Sequence, residues 1–300
     1  MKILKISIAS LIIFSCSNTE ENESSNNGKG IVQNENAETI SYDGQEREYI
    51  LYVPSSIDES SPVPLMLNFH GGGGSASGQI YVSDMRPIAD TANFILIYPQ
   101  GSLLDNGGGT HWNSAPIGGD NKSSTDDFGF IKALIDKILL THNVDTTRIY
   151  ATGFSNGGDF SHSLPCFLSN KIAAAVSVAG LAINDLNMSC NPSHFTGIMI
   201  IHGTSDYSRP YTGISNYYSS VESTISFWRN FNNTTADVIT NNFNINNNTI
   251  EHNIYNDSSS NSYVELYKVI GGEHYWLDIT NNGYSTDQII WNFVSKFKIQ

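Results

Sequence analysis

"TRIYATGFSNGG", residues 147–158, places one serine, Ser155, among the glycines Gly153, Gly157 and Gly158. Gly, Asn and Ser are all turn formers, because they tolerate positive φ or bond back to the backbone. The stretch therefore reads first as a plain turn. The second reading is a nucleophile elbow, in which a buried strand turns abruptly into a helix and holds a hydroxyl out at the apex. Glycines two residues to either side are then required, because a Cβ there would collide with the neighbouring strand or helix. The apolar residues before Ser155 supply the strand, and "NGGDFSHSLPCFL" (156–168) supplies the helix, which Pro165 should end or kink early.

Working outward, "VPLMLNFHGGGG" (63–74) and "ANFILIYPQG" (92–101) are continuous apolar runs that empty into glycine or proline, the pattern of fully buried parallel strands. "REYILYVP" (47–54), "IAAAVSVAG" (172–180) and "GIMIIHGTSD" (197–206) add further strands. "STDDFGFIKALIDKILLTHNV" (124–144) carries apolar residues at helical spacing behind Ser, Thr and Asp as N-cap candidates. "YYSSVESTISFWRNF" (217–231) and "STDQIIWNFVSKFKI" (285–299) are two more helices, and "TIEHNIYNDSSSNSYVELYKVIGG" (249–272) reads as two strands around a polar turn. The Asn-rich stretch 230–248 reads as surface loop or irregular hairpin. Strands alternating with helices, without an internal repeat or a second-domain boundary, predict one three-layer α/β domain with a mostly parallel central sheet, over 38–300.

The chain has 300 residues and a formal net charge of -14. That charge argues against nucleic acid and against an anionic membrane surface, both of which need a basic patch. At the amino terminus two lysines precede an apolar run from Ile6 to Phe14, then Ser15 and Cys16. The run is too short to span a bilayer and has the proportions of a secretory signal. The small residue before Cys16 resembles a bacterial lipobox, so residues 1–16 read as a lipoprotein signal with Cys16 lipidated, and 17–37 as a flexible polar tether. The expected location is the outer membrane or cell surface, with the membrane touched only through that anchor. In an exported protein the remaining cysteines, Cys166 and Cys190, are expected to pair. No HExxH or CxxC occurs, so neither a metal nor another cofactor is expected.

An elbow serine is inert without a base, an orienting carboxylate and donors for an oxyanion. "HGTSDY" (202–207) and "GGEHYW" (271–276) each follow a strand directly, which puts Asp206 and His274 in the order serine, acid, histidine. Asp126 and Asp127 precede a helix and read as capping residues, while His70 and His202 read as loop-ordering rings. The oxyanion donors would be the amides of Asn156 and of Gly72 within "HGGGGS" (70–75). Trp112 and Trp276 are the substrate-stacking candidates, with buried packing as the competing reading.

"HGGGGS", "THWN", "TDDFGFI", "RIYATGFSNGG", "AAVSVAG", "IHGTSDYSRPY", "FWRN" and "GGEHYW" together resemble the extracellular esterase family of feruloyl esterases, acetylxylan esterases and polyhydroxybutyrate depolymerases. The resemblance covers nearly everything after residue 40. It implies the α/β-hydrolase fold, no metal, a Ser155/Asp206/His274 triad and a Cys166–Cys190 bridge. Asp159 departs from it, standing where an apolar residue, often Met, follows the double glycine. The expected activity is ester hydrolysis on feruloyl or acetyl side chains of plant-type polysaccharide by a monomer. The alternatives are polyhydroxyalkanoate, a peptide bond, and a surface binding protein without turnover.

Overall fold

The computed structural model describes residues 31–32 and 37–300, apart from 59, 118, 120, 185–188, 246–247 and 260–261. Cys16, the apolar run before it and nearly all of the tether lie outside the described residues. The strands are β1 (Ile31–Val32), β2 (Glu38–Tyr42), β3 (Gln45–Val53), β4 (Val63–Phe69), β5 (Ile95–Pro99), β6 (Ser102–Leu103), β7 (Thr110–His111), β8 (Val144–Phe154), β9 (Ala174–Val178), β10 (Gly197–Gly203), β11 (Asp237–Ile245), β12 (Asn248–Asn256) and β13 (Ser262–Ile270). The helices are α1 (Ala76–Val82), α2 (Arg86–Ala92), α3 (Asp127–Thr141), α4 (Asn156–Phe167), α5 (Val221–Phe231) and α6 (Thr286–Val294).

One large sheet runs β1-β3-β5-β4-β8-β9-β10-β13-β12-β11, with β2 added on β3. Its centre, β5-β4-β8-β9-β10-β13, is parallel. The flanks are antiparallel. This is the α/β-hydrolase fold. Strands β4, β5, β9 and β10 are buried along their whole length because both faces are covered. On one face α3, α4 and α5 contribute Leu134, Phe160 and Trp228 to a core with Leu65, Leu67 and Ile200. On the other, α1, α2 and α6 contribute Ala76, Ile88 and Phe293 to a core with Met66, Leu96 and Ile201. The carboxyl ends of β8, β10 and β13 all point to one edge, where the loops carrying Ser155, Asp206 and His274 meet.

Three local features differ from the sequence reading. Pro165 lies inside α4, which continues to Phe167, because a proline in the last turn removes only one helical bond. Part of the Asn-rich stretch is a regular strand, β11, paired with β12 from Asp237 to Ile245. As an edge strand it is mostly exposed on both faces, so no apolar alternation marks it. Helices α1 and α2 are seven residues each and carry too short an apolar stripe to stand out.

Asp287, in the first turn of α6, accepts from the Ser83 hydroxyl at 2.8 Å. Burial pushes its carboxyl up from 3.8 to about 6 despite that bond, and the charge of Asp84 acts in the same direction. A carboxyl raised in the folded state holds its proton more tightly there. The resulting stabilisation is complete below the unfolded value and is lost as pH rises through about 6. Asp287→Asn is therefore expected to stabilise the fold by about 2 kcal/mol at pH 8 and to change little at about pH 4. Urea unfolding at both pH values measures this; an equal effect at the two would show that the Asp287 proton is not involved.

Candidate active site

Ser155 occupies the turn between β8 and α4 with φ 53 and ψ -119. Such a backbone costs a non-glycine residue about 1–3 kcal/mol and persists only where its surroundings hold it. Here the Ser155 amide donates to the Val178 carbonyl at 2.9 Å, and its carbonyl accepts from the Asp159 amide at 2.8 Å. A serine at a helix N-cap usually turns its hydroxyl onto the first helical amides. Ser155 makes no such bond, and its hydroxyl faces out of the turn. A Cβ on Gly153 would lie 2.5 Å from the Gly157 carbonyl, and one on Gly157 would strike the backbone carbonyls of Phe69 and His70.

The Ser155 hydroxyl meets His274 Nε2 at 2.8 Å, and His274 Nδ1 meets Asp206 Oδ2 at 2.8 Å. A carboxylate facing Nδ1 places the proton there, leaving Nε2 bare to accept from the serine. The two loops that carry these residues are tied to one another: the Ser205 amide donates to the Gly272 carbonyl at 2.9 Å, and the Gly271 amide to the Thr204 hydroxyl at 2.9 Å. Asp206 Oδ1 accepts the amides of Ser208 at 2.9 Å and Arg209 at 2.7 Å. Burial pushes the Asp206 carboxyl up, but the bonds from His274 and from the Arg209 amide outweigh it and hold the group below the usual range. Asp206 is thus an anion at neutral pH, and Ser155 remains 8% exposed at the surface of the cleft.

The glycine loop after β4 lies against this serine. A Cβ added to Gly71 would lie 3.4 Å from the Ser155 Cβ, and one added to Gly72 3.7 Å from the Asn156 Cβ. The amides of Gly73 and Gly74 are taken by the carbonyls of Thr110 and Gly71, whereas among the described residues those of Gly72 and Asn156 meet no acceptor. His70 orders the loop. Burial lowers it to about 4 and keeps it neutral; Nε2 accepts the Gly101 amide at 2.9 Å, so Nδ1 donates to the Gly71 carbonyl at 2.7 Å.

Trp112 is 2% exposed, stacks on Phe160 and donates its indole N–H to the His70 carbonyl. Its backbone is clamped by the Asn156 side chain, which accepts from the Trp112 amide at 2.7 Å and donates to its carbonyl at 3.0 Å. Nothing in the sequence signals that second task of Asn156. Trp276 packs into the core on the α6 face and bonds Asp287. Trp112 offers no free ring face for stacking, because packing and its own N–H use it, whereas Trp276 is only half-buried. Tyr207 is an exposed aromatic near the base, with its ring 6.1 Å from that of His274. A cleft of about 190 Å³ opens beside Asn156, lined by Trp112, Asn113, Asn121, Tyr217 and Tyr218 among others. Cys166 at the end of α4 is bonded to Cys190. Among the described residues no group of three or more His, Cys, Asp or Glu could hold a metal ion, and no helix is long and apolar enough to cross a membrane.

Residues 55–256 match the phospholipase/carboxylesterase family. The chain is 28% identical over 262 residues to a bifunctional acetylxylan esterase/xylanase of Neocallimastix patriciarum, covering 85% of this chain and 34% of that protein. It is 31% identical over 169 residues to feruloyl esterase B of Piromyces equi, covering 56% of this chain and 30% of that one. The chain spans between about a third and just over half of the length of the curated relatives it matches first. Among solved structures, the acetyl xylan esterase from Aspergillus awamori superposes with a TM-score of 0.64 at 14% identity, over 87% of this chain and 99% of that one.

Proposed function

Because this chain belongs to the phospholipase/carboxylesterase family, we propose that it is a serine carboxylic ester hydrolase. The observation that carries the reading is the line of hydrogen bonds from Ser155 through His274 to Asp206, at 2.8 Å each, beside two amides that meet no acceptor among the described residues. Ser155 attacks an ester carbonyl while His274 takes its proton, and the amides of Gly72 and Asn156 hold the oxyanion. His274 returns the proton to the departing alcohol, and water repeats the sequence on the acyl-enzyme. Asp206 keeps the imidazole in the useful tautomer and stabilises its cationic form. Each oxyanion donor contributes roughly 3 kcal/mol to lowering the barrier.

The substrate class we favour is the feruloyl or acetyl side-chain ester of a xylan-type polysaccharide. Support comes from the relatives named for those activities and from the cleft beside Asn156, which the exposed ring of Tyr217 lines. The amino-terminal sequence extends the proposal to an exported lipoprotein anchored through Cys16. The test is acid released from feruloylated and acetylated arabinoxylan by the mature chain. Ferulate or acetate in the supernatant supports the proposal and names the acyl group. Turnover of simple aryl esters with neither acid released would keep the reaction class and remove xylan as substrate, sending the search to hydroxyalkanoate esters.

A further inference from the structure

Asp159 stands where the resemblance expects an apolar residue, and its side chain is wholly buried. It is not left alone there. Its Oδ1 accepts the Leu181 amide at 2.7 Å. Its two oxygens also take the guanidinium of Arg209, with Nε at 3.1 and 3.0 Å and Nη2 at 2.8 Å. Burial works against the Arg209 charge, but the Asp159 carboxylate more than offsets it and holds the guanidinium above its ordinary value. Buried ion pairs are poor devices for stability, since desolvating both ions consumes most of their attraction. The placement of this one gives it another use.

Arg209 closes the turn that holds the acid. Its amide is one of the two that bond Asp206 Oδ1, and its carbonyl accepts from His202 Nε2 at 2.8 Å. Asp159 sits one helical turn beyond Ser155 and bonds the Ser155 carbonyl through its own amide. A single side-chain fork therefore links the turn of the acid to the helix that begins at the serine. We propose that Asp159 and Arg209 are positioning residues, whose paired side chains hold the Asp206 turn in register with α4 and so keep Asp206 behind His274.

The inference rests on the reading of Ser155, His274 and Asp206 as the catalytic groups. The other ionisable groups around the pair are His162 on α4, His202 on β10 and Tyr218, whose ring lies 5.1 Å from the guanidinium. Burial lowers both histidines, His162 to about 3, so neither competes for the carboxylates as a cation near neutral pH.

The experiment compares the parent with Arg209→Lys and Asp159→Asn on a soluble aryl acetate, with rates expressed per site titrated by a fluorophosphonate. Lysine keeps the charge and loses the fork. The expected result for Arg209→Lys is a fall in kcat of about tenfold with KM within about twofold. The acid limb of kcat/KM should also move to lower pH, because a displaced carboxylate stabilises the imidazolium less. Asp159→Asn should do the same, since the guanidinium it strands is drawn to Asp206. If both variants keep the parental kcat and acid limb while melting earlier, the pair only holds the fold together and the proposal is overturned. Asparagine keeps the shape of Asp159 and its acceptor for Leu181, so that variant decides alone if Arg209→Lys does not fold. A parent that takes up no phosphonate at Ser155 defeats the triad reading itself, and this inference with it, by a signal that neither variant can mimic.

Discussion

Ser155→Ala is expected to lower kcat on a soluble aryl ester by about 10⁵-fold or more while leaving stability within about 1 kcal/mol of the parent. The two effects separate because of how the hydroxyl is used. It makes no cap bond to α4, and the turn is held by backbone bonds to Val178 and Asp159 that alanine keeps. Among the described residues, the one side-chain bond lost is that to His274 Nε2. The remaining rate should come from the Gly72 and Asn156 amides acting on water attack, since an oxyanion site without a nucleophile still retains some catalysis. Steady-state kinetics beside a urea melt measures both halves. A loss below about tenfold in folded protein would mean that another group attacks the ester, and the elbow would then be only a turn.

The sequence was most legible where backbone meets backbone. Gly153 and Gly157 announce the elbow because carbonyls of β4 and α4 leave no room for a side chain, a constraint that amino-acid identity records directly. The largely apolar runs of β4, β5 and β10 likewise give away a sheet covered on both faces. Asp206 and His274 could be picked from their neighbours because each lies in the loop directly after a strand, and the structure brings them into one line with Ser155. Legibility failed where the partner is remote or where no face is buried. Asp159 looked like an anomaly because its partner, Arg209, lies 50 residues further along the chain. The aromatic identity of Trp112 does not tell whether its ring faces a ligand or a core, and here Phe160 takes it. Strand β11 escaped because an edge strand with both faces in solvent needs no apolar period.

Gly157→Ala is expected to cost roughly 3–5 kcal/mol of stability and to remove activity from whatever fraction still folds. The added Cβ would meet the carbonyl oxygens of Phe69 and His70, both backbone atoms at the carboxyl end of β4. Neither atom can turn aside as a side chain would, so α4 must lift away from the sheet. That movement would carry Ser155 from His274 and the Asn156 amide from Gly72, the distances on which the proposed chemistry depends. Gly72→Ala is the matched control: its Cβ would meet only the Asn156 Cβ, at an ordinary 3.7 Å. It should leave stability within about 1 kcal/mol. Urea midpoints and fluorophosphonate labelling of the two variants test the argument together. If Gly157→Ala unfolds no earlier than Gly72→Ala and labels as fast as the parent, the close approach of α4 to β4 is not what holds the serine in place.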